Sequence, residues 1–285
     1  MNGLYRGERV YDEAAADKLF ADHGVAVVRG EIYYLSAFAP RAKQLDEFRL
    51  CSVSFADSGL TLVPRSEWSA RIQDQIARKA RVSDYCQFPA YDQASTNYCW
   101  YNCVAQSMTC QRLIQGLSLR VLSAASGAAQ IKRGRNQGGY VFDAVKHAQT
   151  TGLATIELWP NSGRDYRRLE TADVTASRAE NKLVEVVRCE TFDEYASGLL
   201  ATLPGFGGWN SRRHAETIAD LVEIEPGSFG LRLRNSWGAN FGAGNDEGFR
   251  GFHVFREGAG RKSEAMPSYG GLIRSVTTGT MGGGG

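Results

Sequence analysis

The sequence has no apolar run near the roughly 18 residues that a membrane-spanning helix requires, so a span of that kind is not expected. Its first residues, Met1-Asn2-Gly3-Leu4-Tyr5-Arg6, lack the apolar centre of a secretory signal. It has little excess charge: 33 Lys and Arg against 31 Asp and Glu give a net charge of +2, too small to argue for a nucleic-acid or anionic-membrane partner. There is no CxxC pair and no His/Cys cluster with zinc-ligand spacing, so neither a metal nor another cofactor is expected. Six cysteines in 285 residues do not make a disulfide scaffold. Cys51, Cys86, Cys103, Cys110 and Cys189 read as small buried hydrophobes, which suits a reducing, intracellular setting. No internal repeat is visible.

What is present centres on Asp92-Gln93-Ala94-Ser95-Thr96-Asn97-Tyr98-Cys99-Trp100. Cys99 opens a helix-like run that extends to about Leu117. The positive end of a helix dipole favours thiolate over thiol, and the thiolate is the nucleophile. The Gln93 amide, six residues upstream, and the Cys99 backbone N–H would together form an oxyanion hole.

Before this centre, residues 12–23 read as a helix, Val25–Val28 and Glu31–Leu35 as a strand pair around Arg29-Gly30, and Phe48–Phe55 and Leu60–Val63 as two further strands. Residues 1–63 would be a small α+β extension or a set of edge elements on the main domain. Pro64–Val82 reads as a helix capped by Ser66, with Trp68, Ile72 and Ile76 on one face. After the Cys99 helix comes a Gly/Ala/Ser-rich loop, with Lys132-Arg133-Gly134-Arg135 as solvated loop. Gly138-Gly139 then precedes a helix over Val141–Thr150, and Phe192–Leu203 reads as another helix.

In the last third, a strand from His214 and its return through Phe229–Asn235, turning at Gly227, would bring His214 beside Asn235. Gly248–Phe255 reads as a third strand, with His253 packed or on the surface. From Gly258 the chain turns Gly/Ser/Thr-rich and reads as a tail unable to build a core.

In this order, Gln93, Cys99-Trp100, Leu117-Ser118, Gly138-Gly139-Tyr140, His214-Ala215, Asn235-Ser236-Trp237-Gly238 and Gly248-Phe249 resemble the papain-like cysteine proteases. The resemblance runs from Pro64 to Phe255 and leaves 1–63 as an extension and 258–285 as a tail. It implies an α+β fold of two lobes, one helical and headed by the Cys99 helix, the other β-rich and barrel-like, with a cleft between. It also implies Cys99 as nucleophile, His214 as ion-pair partner and general acid, and Asn235 as the group orienting the imidazole under the Trp237 ring. Gln93 would serve the oxyanion hole, and Gly138 and Gly139 the wall that hydrogen-bonds an extended peptide or protein substrate. The chemistry implied is peptide hydrolysis through a thioester.

Departures from the family pattern carry expectations of their own. Thr96 and Asn136 stand where secreted relatives pair two cysteines. Asn97-Tyr98 replaces a small pair and would narrow the cleft. Arg212-Arg213 would lower the His214 pKa. Residues 1–63 lack recognisable prodomain motifs, so they are not expected to be a removable inhibitor. The setting expected is cytoplasmic or virion-associated. The competing class is a structural component of a large assembly, for example a phage virion protein, that engages its neighbours through residues 1–63 and the tail while its cleft is restricted.

Overall fold

The computed structural model describes residues 10–11, 25–28, 31–34, 37–210, 212–257 and 265–278; the helix expected over 12–23 lies outside them. Strands β1 (Val10–Tyr11), β2 (Val25–Val28) and β3 (Glu31–Tyr34) come first, and β2 and β3 form the expected antiparallel pair, with Val25 opposite Tyr34. Helix α1 (Ala42–Leu50) follows, then the two-residue β4 (Val53–Ser54). The strands expected over 48–55 and 60–63 are therefore corrected. Phe48 points from α1 into the core, stacked on Phe142 with ring centroids 4.0 Å apart, and residues 60–63 form no strand.

Helix α2 (Trp68–Arg78) starts later than expected. Residues 65–67 form a 3-10 turn, and Ser66 makes no side-chain cap. Helix α3 (Cys99–Ile114) runs through the centre of the molecule, with every residue from Cys99 to Arg112 buried. Helices α4 (Ala124–Lys132) and α5 (Val141–Thr150) pack around it. The Gly/Ala/Ser-rich loop expected after Leu122 is in fact α4. Its N-cap Ser123 accepts the Ser126 N–H, and its small residues allow close contact: a Cβ on Gly127 would lie 2.3 Å from the Tyr101 ring. Helices α6 (Tyr166–Leu169), α7 (Ala172–Glu180) and α8 (Phe192–Leu200) complete the helical set among the described residues.

The β-rich part is one mixed eight-stranded sheet in the order β1-β9-β8-β7-β6-β10-β5-β4. It contains β5 (Leu183–Arg188), β6 (Gly205–Trp209), β7 (His214–Glu225), β8 (Ser228–Arg234), β9 (Phe252–Arg256) and β10 (Tyr269–Val276). The turn between β7 and β8 carries Gly227 at φ 74°, which glycine adopts without a side-chain penalty.

The tail reading of 258–285 is overturned for 269–276, because β10 lies inside the sheet between β6 and β5. Leu272 and Ile273 are fully buried, and the adjacent glycines permit close strand approach. A Cβ on Gly270 would lie 2.1 Å from the Phe206 carbonyl oxygen, and one on Gly271 would lie 2.4 Å from that of Val187. The extension is likewise built into the domain. β1 pairs with β9, β4 pairs with β5, and Ala37 and Phe48 belong to the core around α3.

Candidate active site

The first turn of α3 places Cys99 against the start of β7 and the end of β8. Buried polar bonds fix this crossing: Thr217 Oγ1 donates to the Cys103 carbonyl at 3.0 Å, and Gln106 Nε2 donates to the Arg234 carbonyl at 3.0 Å. Within the hairpin, Thr217 stands opposite Arg234, so His214 and Asn235 meet at the same end of the sheet. His214 Nε2 donates to Asn235 Oδ1 at 3.0 Å, and a hydrogen bond joins His214 to the Cys99 thiol group. Trp237 covers the imidazole, with ring centroids 4.8 Å apart and an interplanar angle of 34°.

Burial alone would push the His214 pKa down. The Cys99 sulfur, the Glu216 carboxylate and the Asn235 hydrogen bond outweigh it, and the pKa stands above the ordinary histidine value. The lowering expected from Arg212-Arg213 is thus corrected. Arg212 is buried with its guanidinium 3.7 Å from the Phe255 ring centroid, and its charge acts on Glu216.

The Gln93 loop is laced to the Asn235–Gly238 turn. Gln93 N–H donates to the Ser236 carbonyl at 2.9 Å, Ser236 Oγ donates to Gln93 Oε1 at 2.7 Å, and Gln93 Nε2 donates to the Thr96 carbonyl at 2.9 Å. Hydrogen bonds through the Asn97 and Asn136 amides tie the 95–97 loop to the loop at 136. Asn97 N–H donates to Asn136 Oδ1 at 2.6 Å, Asn97 Nδ2 to the Asn136 carbonyl at 3.2 Å, and Asn136 Nδ2 to the Ser95 carbonyl at 2.8 Å. Tyr98 does not project into the cleft as expected. It is buried, its hydroxyl donates to the Arg135 carbonyl, and its ring meets Trp100 edge-on.

Gly139 packs on the Trp100 ring, where a Cβ would come within 2.5 Å. Phe38, Asn97, Gly138 and Arg213 are among the residues that line an open cavity of about 440 Å³. Ala37 N–H donates to the Arg213 carbonyl at 2.9 Å, and Phe38 N–H donates to the Gly139 carbonyl at 2.9 Å. Tyr269 hydroxyl donates to the Phe38 carbonyl at 3.1 Å, and Ala37 forms a parallel bridge with Gly139. The glycine wall expected to receive a substrate backbone therefore already receives residues 37–38, and Cys99 and His214 are 0% and 1% exposed. Lys132, expected in a solvated loop, ends α4 with its ammonium 5.2 Å from the Trp100 ring centroid.

Sequence reasoning missed Glu216 and gave His253 no partner. Glu216 Oε1 accepts from Asn235 Nδ2 at 3.0 Å and lies 3.3 Å from His214 Nε2, while Glu216 Oε2 lies 3.0 Å from His253 Nε2. The available signal was spacing. Residues two apart on a strand share a face, so a glutamate at His214 plus two belongs beside the imidazole.

The fold is papain-like. A structure of procathepsin L 3 from the larval midgut of Tenebrio molitor matches at TM-score 0.57 and 13% identity, covering 79% of this chain and 74% of that one. The ragweed pollen allergen Amb a 11, a cysteine protease in its proform, matches at 0.58 and 14%, covering 85% and 77%. Bromelain from Ananas comosus, in complex with the E64 inhibitor, matches at 0.54 and 16%, covering 69% and 97%. No protein-family model matches the sequence, and no curated protein does.

Proposed function

We propose that the chain is a cysteine peptidase that hydrolyses peptide bonds through a Cys99 thioester, held latent by its own residues 37–38. The observation that carries this reading is the assembly, at one sheet end, of a helix-N-terminal cysteine, a buried imidazole of raised pKa and an orienting amide. In this reading His214 takes the thiol proton at Nδ1 and later returns it to the leaving amine, while the Nε2–H stays on Asn235 Oδ1. The Cys99 N–H and the Gln93 amide stabilise the oxyanion. The Gly138-Gly139 wall and the Arg213 carbonyl take the substrate backbone once residues 37–38 leave.

The parallel pairing of Ala37 with Gly139 supports latency, as does the likeness to two cysteine protease precursors, procathepsin L 3 and proform Amb a 11. The occupied wall also suits the second reading, an assembly component with a restricted cleft. A single experiment separates the two. Full-length protein is treated with E64, a probe taken from the bromelain complex, and the adduct is located by mass spectrometry in wild type and His214→Ala. The peptidase reading expects labelling at Cys99 that is lost without His214, and rises when residues 37–38 are displaced. Labelling no faster than at Cys51, even with those residues displaced, refutes it.

A further inference from the structure

Beyond the three groups already placed, a buried acid-base cluster continues away from Cys99 across three neighbouring strands. Glu216 lies on β7, Asn235 just past β8 and His253 on β9, which are adjacent in the sheet. Their exposures are 2%, 0% and 1%, and His214 beside them is 1% exposed, so a carboxylate, an amide and two imidazoles sit inside the protein. Burying such groups is costly unless they are paired. Aromatic rings enclose them: Phe241 meets both Trp237 and His253 edge-on, at 5.0 and 5.2 Å between centroids, and Phe255 meets His253 at 4.9 Å.

The geometry settles a question that a Cys-His-Asn set leaves open. An asparagine amide presents an oxygen on one side and an NH₂ on the other, and either could face the imidazole. An ionised carboxylate only accepts. Glu216 Oε1, 3.0 Å from Asn235 Nδ2, therefore holds the NH₂ toward itself and the Oδ1 toward His214. An oxygen at that position selects the imidazole that carries its proton on Nε2, leaving Nδ1 for the Cys99 proton. The Ser236 N–H, donating to the same Oδ1 at 2.7 Å, reinforces the choice.

We infer that Glu216, anchored by His253, is a positioning residue that orients the Asn235 amide and favours the charged imidazole of His214. This extends the peptidase reading and rests on it for its consequence in catalysis. The charged or titratable groups around the imidazole are Cys99 from α3, Glu216 from β7, and, on the far side of that carboxylate, His253 from β9 and Arg212 from the turn before β7. His253 and Arg212 favour the ionised form of Glu216, whose pKa lies below the ordinary carboxyl value despite burial. In this inference Glu216 touches neither substrate nor nucleophile, and acts through Asn235 and His214.

The test uses the full chain with ¹⁵N-labelled histidine. Ring nitrogen shifts report the protonation of each of the four imidazoles, and His214→Ala assigns the one that matters. Glu216→Gln is expected to lower the His214 titration midpoint by about one pH unit, the size of a lost, partly compensated neighbouring charge. His253→Gln, which retains an N–H donor, is expected to move it the opposite way. Cys99 alkylation by iodoacetamide, and kcat with KM unchanged, should fall roughly 10- to 100-fold in Glu216→Gln, as for other groups that orient a functional imidazole. Glu216→Asp should restore part of the loss, and the loss should shrink in an Asn235→Ala background.

An unmoved His214 midpoint in folded Glu216→Gln overturns the inference. If that variant does not fold, an unmoved or lowered midpoint in His253→Gln does the same. Absence of Cys99 reactivity even with residues 37–38 displaced would sink the peptidase reading, yet the His214 midpoint would still decide the role of Glu216.

Discussion

Latency can be tested by replacing Phe38 with proline. The Phe38 N–H donates to Gly139 at 2.9 Å, and proline has no N–H to give. A neutral hydrogen bond contributes about 1 kcal/mol net. The Phe38 ring sits edge-on to Tyr140 at 5.6 Å between centroids, with the Lys132 ammonium 6.0 Å from its own centroid, and the residue is 37% exposed. Losing that partial burial removes about 1.5 kcal/mol more. Together these weaken the closed segment by about 2.5 kcal/mol, a factor of about 60 in the open population at 1.4 kcal/mol per decade. If E64 must enter where residues 37–38 lie, its apparent affinity scales with the open fraction. The second-order rate of Cys99 modification in Phe38→Pro should then rise about 60-fold over wild type in this estimate. The assay is the time course of adduct formation by intact mass, with circular dichroism to verify the fold. A rate within twofold of wild type, in folded protein, would refute the view that this segment blocks the cleft.

Three further outcomes are expected. Asn136→Ala removes two of the three hydrogen bonds joining the 95–97 and 136 loops and keeps the one to its own carbonyl, which should cost about 2 kcal/mol and lower both the thermal midpoint and the Cys99 labelling rate. Gln93→Ala should reduce kcat by about 10²–10³, as for loss of one oxyanion donor, and an unchanged kcat would remove Gln93 from that role. His147 is held neutral by burial and then by the Arg178 charge, its pKa pushed down to about 4, with Tyr101 hydroxyl 2.8 Å from Nδ1. Because its folded pKa is depressed, stability is fully present above the unfolded value near 6.5 and is lost as pH falls toward 4. The loss is about 3 kcal/mol at 1.36 kcal/mol per pH unit. Urea midpoints at pH 7 and pH 4.5 should differ less in His147→Gln than in wild type.

The order of signals along the chain was enough to locate Cys99, His214 and Asn235, because each depends on local pattern. A cysteine heads a helix, and a turn at Gly227 folds one strand back on another. Helix α5 was legible to the residue, since its apolar spacing and the glycines before it agree. Elements whose identity rests on what they pack against were not legible. The small residues of α4 resemble a loop until Tyr101 lies across them, and Gly270-Gly271 resembles a tail until β6 and β5 close on either side.

Glu216 and His253 show the same division within the site. Strand alternation puts Glu216 on the face of His214, but only pairing across β7, β8 and β9 brings a histidine 37 residues further on to its second oxygen. The seating of Ala37 and Phe38 on Gly139 and Arg213 is likewise tertiary. The bonds run through backbone atoms, which every residue carries, so no side-chain motif in the first 40 residues announces them. Sequence alone brought Cys99, His214 and Asn235 forward as candidates, because their signals reside in side chains at fixed spacing. Tertiary structure decided how the imidazole is held and what lies against Gly139 and Arg213, because both depend on backbone groups and buried charges meeting across long separations.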